Sequence, residues 1–154
     1  MGEKTGIGWC DHTFNFWYGC HKVSTECKYC YINSVIKRMG KEPFNGPIRS
    51  KDWEKPFTWD RKARKAGVQR RVFTCSLSDF FHDGADDWRS EAWDVIRSTK
   101  NLDWLVLTKR PELIPDRLPS DWGDGYPNVW LGVTVGAESS MAKIPLLKAV
   151  PARV

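Results

Sequence analysis

The chain contains no apolar run approaching the roughly 18 residues that a membrane-crossing helix needs, so a helical membrane protein is not expected. It has no internal repeat and no low-complexity tract, which argues against solenoids, fibres and long disordered tails. The opening residues, Met1-Gly2-Glu3-Lys4-Thr5-Gly6, offer no hydrophobic signal region, and Gly6 stands where a myristoylation pattern needs Ser or Thr. Cysteine is scarce and its count is odd: five residues, three of them clustered. An exported disulfide framework does not follow from that pattern, and the expected setting is the cytoplasm, without a membrane partner.

What is present fits one soluble domain of 154 residues with an ordinary share of apolar and charged side chains. The nine tryptophans are the unusual feature; they either fill a core or line a groove or interface. The net charge is +5, and much of the excess lies between Lys51 and Arg71, in Lys55, Arg61, Lys62, Arg64, Lys65, Arg70 and Arg71. With Trp53, Phe57 and Trp59 interleaved, this basic stretch has the composition to bind phosphates and stack on bases of a nucleic acid. The alternative is a solvated helix face.

Patterning predicts alternating strands and helices. Residues 13–18 are rich in aromatic and β-favouring types and read as a strand ending at Gly19; a helix follows over 31–39 and stops at Gly40. Residues 41–68 read as irregular, with Pro43, Pro47 and Pro56 and a short helix near 61–66. Strands are then expected at 71–76, at 103–108 (buried on both faces) and at 128–135, with helices at 85–99, 112–117 and 139–149. Residues 151–154 look like the start of a fifth strand, which suggests a chain cut short there. The alternation implies an α/β fold with a parallel sheet. Ligands of such sheets sit at the carboxyl ends of the strands, where Ser76, Ser78 and Asp79, then Thr108, Lys109 and Arg110, then Thr134 and Glu138 would converge with the cysteine loop.

Cys20, Cys27 and Cys30 fall in that loop between a strand and a helix. Three neighbouring thiolates carry a negative charge that a metal or cluster stabilises. An iron–sulfur cubane on three cysteines leaves one iron open to a small chelating ligand. Zinc is the competing ion, with Cys10, His12 or His21 as a fourth ligand. A thioredoxin-like role for Cys27-Lys28-Tyr29-Cys30 and plain reduced cysteines are the remaining readings. Cys75 reads as a small core residue, and Cys10 has no evident role.

The loop resembles the radical S-adenosylmethionine (SAM) superfamily, whose signature is Cys-x3-Cys-x2-Cys with an aromatic before the last cysteine. Cys27-Lys28-Tyr29-Cys30 matches the second gap and the aromatic, whereas the first gap has six residues. Ile7-Gly8-Trp9, the run from Gly19 to Tyr31, Ser76-Leu77-Ser78-Asp79-Phe80-Phe81-His82, Leu107-Thr108-Lys109-Arg110-Pro111, Val129-Trp130-Leu131-Gly132-Val133-Thr134-Val135 and Ile144-Pro145-Leu146-Leu147 together resemble the phage-associated gp-thirty-seven/sixty-eight-like family of three-cysteine proteins. The resemblance implies a parallel-stranded half barrel of radical SAM type. It also implies a [4Fe-4S] cluster on Cys20, Cys27 and Cys30, and SAM cleaved with electrons from a donor protein to act on an unknown substrate. Tyr29 would lie near the adenine, Ser76, Ser78 and Asp79 near the methionine amine, Thr108, Lys109 and Arg110 near the carboxylate or substrate, and Thr134 and Glu138 near the ribose. His82 would carry protons or serve structure. The opposing functional reading is a non-catalytic, zinc-stabilised module that binds nucleic acid.

Overall fold

The computed structural model describes residues 5–153; the reading of residues 1–4 and the last residue of the expected fifth strand, Val154, lie outside them. The chain forms β1 (His12–Phe14), β2 (Trp17–Tyr18), α1 (Ile32–Arg38), β3 (Ile48–Arg49), α2 (Lys55–Ala66), β4 (Arg70–Thr74), α3 (Asp86–Ser98), β5 (Leu102–Thr108), β6 (Val129–Val133) and α4 (Lys143–Lys148). The main sheet has the order β1-β4-β5-β6 and every pairing in it is parallel, so the expected parallel α/β architecture is present. β2 and β3 make a separate two-residue antiparallel pair. Arg153 forms a parallel bridge to Trp130 beside β6, where the expected fifth strand would add.

The expected strand over 13–18 is broken in two, because Asn15 leaves the sheet to serve another loop: its Oδ1 accepts from the Leu77 amide at 2.7 Å. The basic stretch is not irregular. Pro56 sits in the first turn of α2, where its fixed φ suits a helix, and Gly67 closes the helix in the left-handed conformation at φ 64°. Trp59 and Ala63, four residues apart, turn inward while Arg61, Lys62, Arg64 and Lys65 stay exposed. The helix expected at 112–117 is two 3-10 turns, Pro111–Leu113 and Pro115–Arg117, because Pro115, inside the expected helix, lacks the amide donor that would continue it. The last helix is shorter than expected and follows a 3-10 turn at Glu138–Ser140.

The core lies between the sheet and the helices. Val72, Leu102, Trp104, Val106, Val129 and Leu131 from the strands cluster with Trp59, Ala63, Trp93, Ile96 and Leu147 from α2, α3 and α4. Most of the tryptophans belong here, and four of them pair their N–H: Trp17 donates to the Asp79 carbonyl at 3.0 Å, Trp104 to Thr99 at 3.0 Å, Trp93 to the Arg117 carbonyl and Trp122 to the Pro151 carbonyl. The buried Trp53 N–H has no partner among the described residues. Phe16 stacks on Trp104 with centroids at 5.5 Å and Trp17 on Phe80 at 5.3 Å; such pairs add about 0.5–1.5 kcal/mol each beyond area burial. Trp53 and Trp59 are buried too, so the aromatic half of the expected base-stacking surface is core.

β5 does not bury both faces equally. Leu102, Trp104, Val106 and Thr108 are fully buried, whereas Asp103, Leu105 and Leu107 are only partly covered. Phe73 and Leu107 on that second face line a pocket described below, so the open face leads directly to the strand ends.

Candidate functional site

The loop after β2 begins at Gly19, whose φ of +91° and whose approach to the Gly46 carbonyl exclude a side chain; a Cβ there would lie 2.3 Å from that oxygen. Gly19 exchanges hydrogen bonds with the loop after β4: its N–H donates to the Leu77 carbonyl at 2.9 Å and its carbonyl accepts from Ser78 Oγ at 2.5 Å. Cys20 is buried immediately beyond, with Sγ 3.5 Å from Arg110 Nη1. Burial pushes its thiol up, opposed by the Arg110 charge. Cys27 lies on the 3-10 turn Thr25–Tyr29 with Sγ 3.5 Å from Ser24 Oγ. Burial works against its ionisation, but the Ser24 hydroxyl, nearby backbone groups and the Lys109 charge leave its pKa lowered. Cys30 caps the same turn.

Asp79, from the loop after β4, organises the centre. Its Oδ1 accepts from Phe81 N at 3.0 Å and Thr108 Oγ1 at 2.7 Å, and its Oδ2 accepts from Lys109 N at 2.9 Å and pairs with Arg110 at 3.4 Å. Four protein donors use the roughly four acceptor sites of a carboxylate. Asp79 therefore positions the loops after β4 and β5 and has no acceptor site left for a ligand amine. Arg110 carries the link onward, donating to the His21 carbonyl at 2.9 Å.

A pocket of about 440 Å³ opens at these strand ends, lined by Cys30, Ser76, Ser78, Asp79, Thr108, Lys109 and Thr134 together with Trp9, Tyr31 and Phe73. Seven of the residues picked out from sequence thus share one wall. Among the described residues the Lys109 ammonium forms no hydrogen bond or ion pair, so this pocket presents an unneutralised cation beside apolar rings.

The remaining candidates lie elsewhere. Tyr29 is 84% exposed with Lys28 above its ring, away from the pocket, because the 3-10 turn points Cys27 inward and Tyr29 out. Glu138 is exposed and lines no part of it. The acid that reaches this region is Glu26: it accepts from Gly136 N at 3.1 Å and from Ser140 Oγ, and lies 3.7 Å from Lys143 Nζ. The approach is tight, since a Cβ on Gly136 would meet Glu26 Cγ at 3.0 Å. Cys10 and His12 lie beside Arg71 and Val72 on β4, and His12 stacks on Trp59 at 4.4 Å, so neither is placed to complete a zinc site in the 20–30 loop. His82 is buried, accepts from Gly84 N through Nδ1 at 2.9 Å, and is held uncharged, its pKa lowered to about 4 by burial and then by Arg110. Cys75 is a buried residue at the end of β4 whose thiol is pushed up to about 12 by burial, as befits a core position.

Glu26 is a clasp between the cysteine loop and the segment after β6. Hydrogen bonds from the Ser140 and Ser24 hydroxyls and the Gly136 amide lower its carboxyl from 4.5 to about 2. A carboxylate depressed on folding stabilises fully above its unfolded pKa, and that support is lost as pH falls through the folded value. In metal-free protein the loop should therefore loosen between about pH 4.5 and pH 2. Glu26→Ala is expected to remove about 1.5 kcal/mol of local stability at neutral pH, read as roughly tenfold faster amide exchange over residues 21–30. Unchanged exchange would refute the clasp.

The donor set suits a thiophilic metal or cluster: three soft ligands in one loop at the ligand edge of a parallel sheet, two of them on one turn, with Lys109 and Arg110 opposing their negative charge. Among the described residues, however, no group of three His, Cys, Asp or Glu side chains is gathered closely enough to hold a metal ion. The residue types fit such a group, and their placement in this structure does not gather them around one point.

Sheet, loop and pocket define the class: a parallel α/β protein with a thiol-bearing loop over a strand-end pocket. A family model described as "Protein of unknown function (DUF5131)" matches residues 4–154, and the chain belongs to that family. No curated protein and no solved structure matches it.

Proposed function

We propose that the chain is a radical SAM-type protein that binds a [4Fe-4S] cluster through Cys20, Cys27 and Cys30 and takes SAM in the strand-end pocket. The observation that carries this reading is the shared wall: Cys30 borders the same pocket as Ser76, Ser78, Thr108, Lys109 and Thr134. When bound, such a cluster supplies the electron that splits the sulfonium bond of SAM, and a donor protein must replenish it. The chain's own residues bind and orient. Lys109 meets the methionine carboxylate, Trp9 and Tyr31 give the adenine flat apolar walls, and Thr134 offers a hydroxyl to the ribose. Asp79 and Arg110 hold the two loops in register. A half barrel of radical SAM type, with its open face inward, is the fold this reading expects.

The test is oxygen-free reconstitution with iron and sulfide. Brown protein with about four iron and four acid-labile sulfide per chain is expected, and SAM should bind it more weakly after Lys109→Ala. Colourless protein holding stoichiometric zinc would overturn the reading in favour of a metal-stabilised module.

A further inference from the structure

A second cavity, of about 480 Å³, lies beside the strand-end pocket and shares its walls. α1 contributes Ile32 to the first and Val35 to the second, and the loop after β4 contributes Ser76 and Ser78 to the first and Leu77 to the second. Two features of this cavity call for an anion. Ser50, which lines it, is only 7% exposed, and its hydroxyl is buried with no hydrogen-bond partner among the described residues. Buried hydroxyls are nearly always paired, so one left over beside a cavity points to a ligand that completes it. The second feature is charge. Lys51 forms no hydrogen bond or ion pair among the described residues, and Lys41 meets only the neutral Tyr18, lying 4.1 Å from its ring centroid and donating to its hydroxyl. The other charges on the wall are neutralised: Arg49 by Glu91 at 2.6 Å, and Asp52 by Lys55 at 2.7 Å. Two cations remain uncompensated.

The geometry points to this cavity as a site for a phosphate group carried by single-stranded nucleic acid. A free phosphate ion would make no use of Tyr18, Val35, Met39 and Leu77, which stand beside the cations, whereas a nucleotide unit would. Of the basic stretch between Lys51 and Arg71, Lys51 is the member that lines this cavity; the cations of α2 do not. The proposal names the substrate class for the neighbouring pocket and rests on the SAM reading only there; phosphate binding itself needs no cluster.

The test is fluorescence anisotropy of a short labelled poly-dT strand with the metal-free full chain at several salt concentrations. Lys51→Gln is expected to weaken binding about tenfold and to reduce the slope of log affinity against log salt by about 0.7. Ser50→Ala should weaken it by about threefold at an unchanged or higher melting temperature, because it removes a buried unpaired hydroxyl. Lys65→Gln, on the exposed face of α2, should leave binding as it was. Wild-type affinity in both cavity variants, or an equal loss in Lys65→Gln, would overturn the site. Millimolar inorganic phosphate that competes as well as the strand would overturn the nucleic-acid source. The strand is bound by the metal-free chain in this test, so failure of iron loading leaves this result standing.

Discussion

Asp79→Ala is expected to lower the stability of the fold by about 3–5 kcal/mol, the range for removing one partner of a buried ion pair. Asp79 and Arg110 are 4% and 3% exposed, so deleting the carboxylate leaves a guanidinium with little access to water. It also strands the Phe81 and Lys109 amides and the Thr108 hydroxyl, each of which donates to that carboxylate. Urea denaturation followed by tryptophan fluorescence measures the change directly. Asp79→Asn should lose less, since the amide oxygen can still accept from Phe81 and Thr108, although the charge pairing with Arg110 and the acceptor for the Lys109 amide both go. A loss below about 1 kcal/mol for the alanine variant would mean that Arg110 finds another partner and that the loops after β4 and β5 are held elsewhere.

Replacing Cys20, Cys27 and Cys30 together by alanine is expected to abolish iron and acid-labile sulfide uptake, and each single substitution should reduce it severely. Cys10→Ala and Cys75→Ala should retain the wild-type content, because Cys10 sits beside Arg71 and Cys75, although it borders the strand-end pocket, is 3% exposed with its thiol pushed up by burial. The contrast between the two sets is the informative part. Uptake lost equally in both would indicate adventitious iron on reactive thiols, and uptake retained in the triple variant would remove the cluster from the site altogether. Melting temperature is the control, because Cys20 and Cys27 are buried and their truncation costs some packing.

Much of the site was legible because parallel sheets gather ligands at their carboxyl edge, so polar residues just past apolar runs could be grouped without contacts. Ser76, Ser78, Asp79, Thr108, Lys109 and Thr134 were found this way and line one pocket. Glu26 and Asn15 were not. Each acts on a partner far along the chain, Glu26 on Gly136 and Asn15 on Leu77, and a lone polar residue in a loop carries no periodic signal that would reveal such a pairing. Tyr29 was misplaced because its neighbourhood in sequence says nothing of which way a 3-10 turn rotates it. The aromatic residues of the basic stretch misled for a related reason. Interleaved Trp and Lys suit either a stacking surface or an amphipathic helix, and only the burial of Trp53 and Trp59 separates the two.

The amino-acid order alone determined the parallel α/β alternation, the thiol loop between its first strand and helix, and the sheet edge at which chemistry would collect. These follow from hydrophobic period, turn residues and the direction of chain crossovers, all of which are local. Only the tertiary structure decided that Asp79 is consumed by four protein donors, that the tryptophans are mostly core, and that Ser50 and Lys51 stand uncompensated beside a cavity. Those outcomes depend on which distant groups meet, and a buried polar atom's role is set by the partners that packing brings to it.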